Sequence, residues 1–285
     1  MKKLLLILCL SPLLAVAQNF HFSARLGFAG YQGDLKAKAL SLSQTKLLGS
    51  LGVRYDLTEH IALRSYISMT SLQADDKKGT ASMKERNLNF QSKIMDFEAG
   101  IHYSILDFNE HWWSPYLFAG IGMYHFNPFT KDENGARTYL NPLSTEGQGI
   151  AGGPKNYKLT QFNIPLGLGV ERMINEDMRV GLEFGYRKTF TDYLDDVSGY
   201  YFDQTALLTA KGQKSVDLAY RGDEISALPY PDPGTVRGNA NNKDGYFYIG
   251  LTFTLRFYFD KYKEIAGLPS SKKGKKVGCP AARAR

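Results

Sequence analysis

The sequence predicts an all-β fold, an eight-stranded antiparallel transmembrane β-barrel with long extracellular loops and short periplasmic turns. Three observations predict this fold. Eight segments alternate apolar and polar residues with a period of two, glycine recurs on the polar face of most of them, and the connections between them are alternately short and long. Aromatic residues make up 13% of the chain and glycine contributes 28 residues, a composition that favours strands and turns over helix bundles.

A secretory signal peptide is predicted over residues 1–17. Two lysines precede an apolar run at 4–14, and an A-x-A cleavage site follows at 15–17, so the mature chain begins at Gln18. The apolar run is shorter than the roughly 20 residues that a transmembrane helix needs. Cys279 is then the only cysteine of the exported chain, which excludes a disulfide framework.

Eight strands follow in the predicted barrel domain, residues 18–260. Their alternating segments are 22–28, 47–53, 61–69, 95–103, 115–126, 162–170, 180–186 and 247–259. The fifth is mixed on both faces, whereas the eighth is the clearest, with apolar residues at every odd position from Phe247 to Phe259. Each strand therefore presents one apolar and one polar face.

Alternation alone does not say whether the apolar face points into the barrel or outward. The positions of glycine decide between these two possibilities. Small residues suit the crowded interior of a narrow barrel, so the bulky apolar face points outward to lipid. The glycines of the polar faces are Gly27, Gly52, Gly100, Gly120, Gly122, Gly167, Gly169, Gly181, Gly185 and Gly250. The alternative is an exported soluble barrel or sandwich with an apolar interior.

The connections agree with a membrane barrel. Those at 57–59, 106–113 and 174–178 are short, and those at 31–45, 74–87, 127–156 and 191–243 are long. Short periplasmic turns and long external loops are the layout of outer-membrane barrels. This layout places both termini in the periplasm and the protein in the cell outer membrane.

Charged residues of the polar faces are expected to meet inside the barrel. Eight strands leave an interior just wide enough for side chains, so opposite charges would pair there as a buried ionic plug, which argues against a general porin. The predicted lumen network comprises Arg25, Arg54, Arg64, Asp96, Glu98, Glu171, Glu183, Arg187 and Arg256. A narrow channel or a ligand-binding barrel is the alternative, because rings of charge also line pores.

The positive charge of the chain is terminal. Of the formal net charge of +7, Lys2 and Lys3 contribute two and the segment 260–285 a net six, which leaves −1 for the rest. No nucleic-acid-binding face is indicated. The basic periplasmic tail, residues 261–285, is expected either to contact an acidic partner or anionic lipid, or to remain solvated.

Seven motifs carry a resemblance to a known family. They are GYQGDL at 30–35, RNLNF at 86–90, SPYLFAGIG at 114–122, NP at 127–128, LSTEGQG at 143–149, IPLG at 164–167 and TFTDYLDDVS at 189–198. Together they resemble the PorG-like outer-membrane barrels of the Bacteroidetes type IX secretion and gliding machinery. The resemblance implies a non-enzymatic outer-membrane component that holds a periplasmic ring of PorK- and PorN-type proteins against the membrane. The segment 203–243 and the basic tail lie outside it.

The loop motifs supply the candidate interaction residues, because exposed loops of a barrel are where a partner can bind. These residues are Tyr31, Gly33, Asp34, Thr145, Glu146, Gly147, Gln148, Asp192, Tyr193, Asp195 and Asp196. The glycines at 147–153 are expected to fold the loop sharply and to allow close backbone approach. Outer-membrane lipid is the other expected partner.

No catalytic, metal or cofactor site is predicted. His102 and Ser104 share a strand face and resemble the His-x-Ser arrangement of lipid A deacylases, but their segment leads into a short periplasmic turn, whereas such an enzyme acts on the outer leaflet. A lipid hydrolase is therefore the least favoured alternative. The acids at 192–196 lack the glycine and distal glutamate of a calcium loop, so we interpret them as turn-forming and capping residues.

Two local features complete the sequence prediction. The connection at 191–243 is too long to be a simple link between strands, so it is expected to have folded structure of its own. Within it a helix is predicted that Asp203 caps and Gly212 ends. Trp112 and Trp113 lie in a short turn and predict part of an interfacial aromatic belt.

Overall fold

The computed structural model describes residues 20–36, 40–226 and 228–257. The predicted signal peptide, the basic tail with Cys279 and the end of the predicted eighth strand lie outside these residues. By its contacts the chain divides into a main unit, His21–Leu255, and a terminal unit, Met1–Phe20 with Arg256–Arg285. Within the described part of the terminal unit, the Phe257 N–H donates to the Phe20 carbonyl oxygen (2.8 Å).

Ten antiparallel strands lie within the described residues. They are β1 (Phe20–Gln32), β2 (Lys46–Asp56), β3 (Ile61–Asp75), β4 (Asn89–Ser104), β5 (Trp113–His125), β6 (Pro128–Lys131), β7 (Arg137–Tyr139), β8 (Thr160–Asn175), β9 (Met178–Thr189) and β10 (Gly245–Arg256). Eight of them close in the order β1-β2-β3-β4-β5-β8-β9-β10 and back to β1, and the β6–β7 hairpin extends the start of β4. The predicted fold class, a closed eight-stranded antiparallel barrel, is confirmed.

The polarity of the barrel is inside-out. Outward side chains such as Leu51 and Ile121 are each 74% exposed, whereas inward Arg25 and Glu183 are 0% and 1% exposed. The period of two produces this arrangement, because successive side chains of a strand point to opposite faces. The alternative prediction of an apolar interior is wrong.

Inward glycines give space to aromatic rings, as the sequence predicts. A Cβ on Gly185 would lie 2.3 Å from the Tyr248 ring, and one on Gly169 would lie 2.4 Å from the Tyr116 ring. A side chain at either position would therefore require the neighbouring ring to move. The small residues and the large rings together fill the narrow interior.

The two ends of the barrel differ in size. The turn side consists of the connections 57–60, 105–112 and 176–177, and the loop side of 33–45, 76–88, 126–159 and 190–244. The predicted alternation of short and long connections is confirmed, with ends shifted by a few residues. The barrel strands have 11 to 16 residues, which is enough for a tilted strand to cross a bilayer, since that needs about 9–11.

Three α-helices lie in the described parts of the loop-side connections: α1 (Ala81–Arg86), α2 (Gln204–Lys211) and α3 (Gln213–Ala219). Helix α2 confirms the sequence prediction, because the Asp203 side chain accepts from the Ala206 N–H (2.7 Å) and Gly212 ends the helix at φ +86°. Helices α1 and α3 and the β6–β7 hairpin were not predicted. None of the described helices has the length and apolar character needed to cross a bilayer.

Phe247 departs from the predicted pattern. Its position on β10 is outward by parity, yet the side chain is 1% exposed. The Phe184 ring stacks on it at a centroid distance of 6.3 Å, and the Lys36 ammonium lies 5.8 Å from its centroid. Loop-side residues therefore cover the outer wall at this end of β10.

Candidate functional site: the barrel lumen and the loop cap

The centre of the lumen holds three arginines and three carboxylates, the central layer. Arg64 donates to both oxygens of Glu183 (2.7 and 3.0 Å) and to Glu98 (2.9 Å). Arg25 lies 3.0 Å from Glu183 Oε1 and donates to Glu98 (3.2 Å). Arg187 donates to Asp96 (2.9 Å) and also to Glu98. All six side chains are at most 5% exposed.

A second ionic layer lies nearer the turn side. Arg54 donates to both oxygens of Glu171 (2.9 Å each) and to Asp56 (2.6 Å). Arg179 donates to the other oxygen of Asp56 (3.2 Å). We call these four residues the turn-side layer.

Charge in the lumen is balanced and space is filled. The central layer has three cations and three anions, and the turn-side layer has two of each. Aromatic rings close the remaining gaps, with the Arg64 guanidinium 3.9 Å from the Phe118 centroid and the Arg25 guanidinium 4.2 Å from that of Tyr66. The cavity between the two layers measures about 10 Å³, which is at the lower limit for a single water molecule.

Eight of the nine predicted lumen residues take part in these contacts. Arg256, the ninth, belongs to the terminal unit, and no ion pair among the described residues includes it. Sequence reasoning missed Arg179 and Asp56, although both share the inward parity of predicted neighbours on their strands. It also missed the neutral donors Tyr116, Tyr248 and Asn163, which donate to Glu183 and Asp96.

His102 and Ser104 are adjacent but do not form a nucleophile relay. The Ser104 hydroxyl lies 3.3 Å from His102 Nε2, and Glu171 lies 3.6 Å from the same nitrogen. A relay needs the carboxylate on the opposite ring nitrogen, so that the imidazole is oriented and its other nitrogen is free to act as base. Both side chains are at most 2% exposed, and the Tyr116 ring stacks on the imidazole at 4.2 Å.

The loop side is closed by a folded loop cap, built mainly from residues 126–159 and 190–244. Its two specific motifs, 145–149 and 191–198, bind each other. Thr145 donates to Asp196 (2.5 Å), while Glu146 accepts from the Ser198 N–H (2.8 Å). Tyr157 adds a second hydrogen bond to Asp196 (2.6 Å). Two of the motifs that carry the family resemblance therefore form the framework of the cap.

Two arginines, both missed by sequence reasoning, connect the parts of the cap. Arg237 donates to Glu146 (2.9 Å) and to the Asp196 carbonyl (2.7 Å), and it is 3% exposed. Arg86 binds both oxygens of Asp76 (2.8 and 2.9 Å) and donates to the Arg237 carbonyl (2.5 Å). No periodic pattern marks such residues, because they and their partners lie in the loop-side connections and not on the barrel strands.

The cap also buries carboxyl groups close to one another. The Tyr31 hydroxyl lies 2.5 Å from Asp195 and 2.9 Å from Asp244, but it carries one proton for two acceptors. Burial raises the pKa of both carboxyls well above the usual range, and the charge of Asp195 raises that of Asp244 further. Burial likewise raises the pKa of Asp192 to about 7. Among the described residues no cluster of His, Cys, Asp and Glu has the arrangement of a metal site.

Most of the candidate interaction residues lie inside this cap. Tyr31, Gly33, Thr145, Glu146, Gly147, Gln148, Asp192, Asp195 and Asp196 are buried, and Asp34 and Tyr193 are half-buried. The space above Gly147, which the sequence leaves open for a partner, is occupied by the Phe202 ring of this chain, 2.5 Å from where a Cβ would be. These residues hold the loops in place, and contact of the loops with a partner stays a prediction.

Solved structures of outer-membrane barrels resemble the chain at low identity. Neisserial surface protein A (NspA) is 11% identical, with a TM-score of 0.41 over 84% of this chain and 97% of that one. The outer membrane protein OprG from Pseudomonas aeruginosa is 12% identical, with a TM-score of 0.43 over 84% and 98%. The outer membrane enzyme PagL is 13% identical, with a TM-score of 0.33 over 83% and 99%. No curated protein matches the chain.

A family signature, in contrast, matches residues 1–208. This stretch contains seven of the eight barrel strands and both cap motifs. It ends within helix α2, ahead of Arg237 and β10. The chain belongs to the family described as Domain of unknown function (DUF6089).

Proposed function

We propose that the protein is a non-enzymatic outer-membrane barrel that serves as a structural anchor of type IX protein secretion and holds a periplasmic ring complex against the membrane. The observation that carries the proposal is the closed lumen. A balanced set of buried ion pairs occupies the position that a pore or a substrate pocket would need. The outer surfaces are then the parts of the molecule that can contact lipid or a partner protein.

The apolar outer wall of the barrel supports the proposed location in the outer membrane. Its strands expose an apolar surface all round, and apolar residues of this size facing water would drive aggregation. At the turn side Trp112 and Trp113 are exposed, and the Arg172 guanidinium stacks 4.4 Å from the Trp112 centroid. This arrangement is typical of an aromatic belt at a membrane interface. In the proposal the turn side and both termini face the periplasm.

The turn side offers a partner a charged surface. Each of its three connections exposes one glutamate: Glu59, Glu110 and Glu176. Carboxylates on separate short turns are held apart by the barrel wall, so they present a fixed pattern of negative charge. A ring of PorK- and PorN-type proteins with a basic surface would fit this pattern by charge complementarity.

Cross-linking and affinity capture from native membranes test the proposal. The wild-type protein is expected to recover periplasmic ring proteins, and Glu59→Lys/Glu110→Lys/Glu176→Lys is expected to lose them. Glu133→Lys is the matched control, because Glu133 is an exposed glutamate of the loop side. Absence of ring proteins from wild-type captures, under conditions that preserve the rings, would reject the secretion role.

A further inference from the structure

The outer wall of the barrel carries a groove near the loop side. It measures about 630 Å³ and crosses β2, β3 and β4 to the edge of β5. Its floor is the exposed row Met69, Met95 and His125, which are direct cross-strand partners. The β2–β3 register ends at the pair Gly49–Met69, so Lys46 and Leu47 lie beyond it and form one side of the groove.

The charged groups of the groove are cationic, and its other polar lining residues include the neutral Thr70, Ser71 and Gln91. Lys46 and Lys93 are exposed at its edge, and neither forms an ion pair with another described residue. His125 lies at the far end, where its Nδ1 contacts the Thr160 hydroxyl (2.9 Å). No carboxylate of a described residue lines the groove. Two ammonium groups beside methionine and leucine side chains therefore have no counter-charge within the part of the chain that the structure describes.

An apolar hollow continues the groove toward the middle of the barrel. It measures about 480 Å³, and Leu51, Ile67 and Phe97 are among its lining residues. These three are neighbours across β2, β3 and β4, one outward position below Met69 and Met95. Two residues of a strand span about 7 Å. A molecule that is anionic at one end and apolar over the next several ångströms matches both parts.

We propose that the groove and hollow bind a phosphorylated membrane lipid of the loop-side leaflet. Its phosphate contacts Lys46 and Lys93, and an acyl chain lies along Met69 and Ile67. Charge complementarity argues for this occupant, because a phosphate at the headgroup level supplies the counter-charge that the two lysines lack. The proposal rests on the membrane location of the proposed function, but not on any role in secretion.

The test uses the full-length protein purified in detergent and titrated with lipid A, a bisphosphorylated glycolipid, with bound lipid counted by native mass spectrometry. Lys46→Gln/Lys93→Gln is expected to raise the Kd about thirtyfold, the factor for two lysines at an anionic surface. Lys188→Gln is the matched control, because Lys188 is also exposed and outward near the loop side but lies on β9, away from the groove. Its Kd is expected to equal that of the wild type.

Equal Kd values for the wild type and the double variant would overturn the proposal, as would an equal loss in Lys188→Gln. Competition by free inorganic pyrophosphate as strong as that by lipid A would also overturn it, because the hollow would then contribute nothing. Failure of the wild-type protein to fractionate with the outer membrane would instead reject the proposed function. The two failures are thus distinguishable.

Discussion

Glu183 is the residue on which the lumen network depends most, and its replacement by glutamine tests that network. The carboxylate is 1% exposed, accepts two hydrogen bonds from Arg64 and one each from Tyr116 and Tyr248, and lies 3.0 Å from Arg25 Nε. Glutamine keeps the size but turns one acceptor into a donor and leaves a net positive charge in the central layer. Removing one partner of a buried ion pair costs about 3–5 kcal/mol, which we expect as the loss in the free energy of unfolding.

Urea unfolding in lipid vesicles, followed by tryptophan fluorescence, measures this loss. Glu176→Gln makes the same chemical change at an exposed turn residue and is expected to cost less than about 0.5 kcal/mol. Glu183→Gln combined with Arg64→Met restores the balance of charge and is expected to regain part of the loss. If Glu183→Gln and Glu176→Gln were equally stable, the reasoning about a buried ionic plug would be refuted.

Three further predictions concern the cap and the lumen. Arg237→Gln leaves Glu146 buried without its cation and removes a donor to the Asp196 carbonyl. Limited proteolysis should therefore cut the 190–244 segment many times faster than in the control Lys155→Gln; equal cutting rates would contradict the role of Arg237. Because burial raises the pKa of Asp192 to about 7, the folded cap binds a proton that the unfolded chain holds only below about pH 4. The stability of the cap should rise as the pH falls from 8 to 5, seen as slower proteolysis at pH 5. Asp192→Asn should reduce this change without abolishing it, because burial also raises the pKa of Asp195 and Asp244; an undiminished change would contradict the role of Asp192. In planar bilayers the wild-type protein should carry no steady current. The variant Arg64→Ala/Glu183→Ala should carry a steady current, because it removes side chains from the centre of the ionic plug. A steady current through the wild type would favour the channel alternative.

The barrel was predictable because the alternation of apolar and polar residues along a strand shows in the sequence which residues share a face. Once Glu183 and Arg187 are inward, the period of two fixes every other position on β9, including Arg179. The sequence prediction omitted Arg179 because it started the strand two residues late. Phe247 shows the limit of this rule, since parity places it outward but loop-side residues bury it. Parity assigns a face and does not say what covers it.

The cap was far less predictable. Only helix α2 was found, because Asp203 and Gly212 are local signals at its two ends. Glu146 and Arg237 are 91 residues apart, and Tyr31 and Asp195 are 164 apart, with barrel strands between the partners in both cases. Such contacts depend on the whole loop fold, and a single sequence holds no periodic signal for them. From the sequence we therefore interpreted the acidic loop motifs as exposed binding sites, whereas in the structure they form the buried framework of the cap.

The orientation of the barrel wall is the central claim, and the depth of a single tryptophan tests it most directly. In a Trp112→Phe/Trp113→Phe background, Ile121→Trp places the fluorophore on the outward face of β5, and Tyr200→Trp places it on the exposed cap. Lipids brominated on their acyl chains should quench the tryptophan at 121 strongly and that at 200 weakly, and aqueous acrylamide should do the reverse. Quenching of the tryptophan at 121 by acrylamide, with no effect of brominated lipid, would contradict a lipid-facing wall.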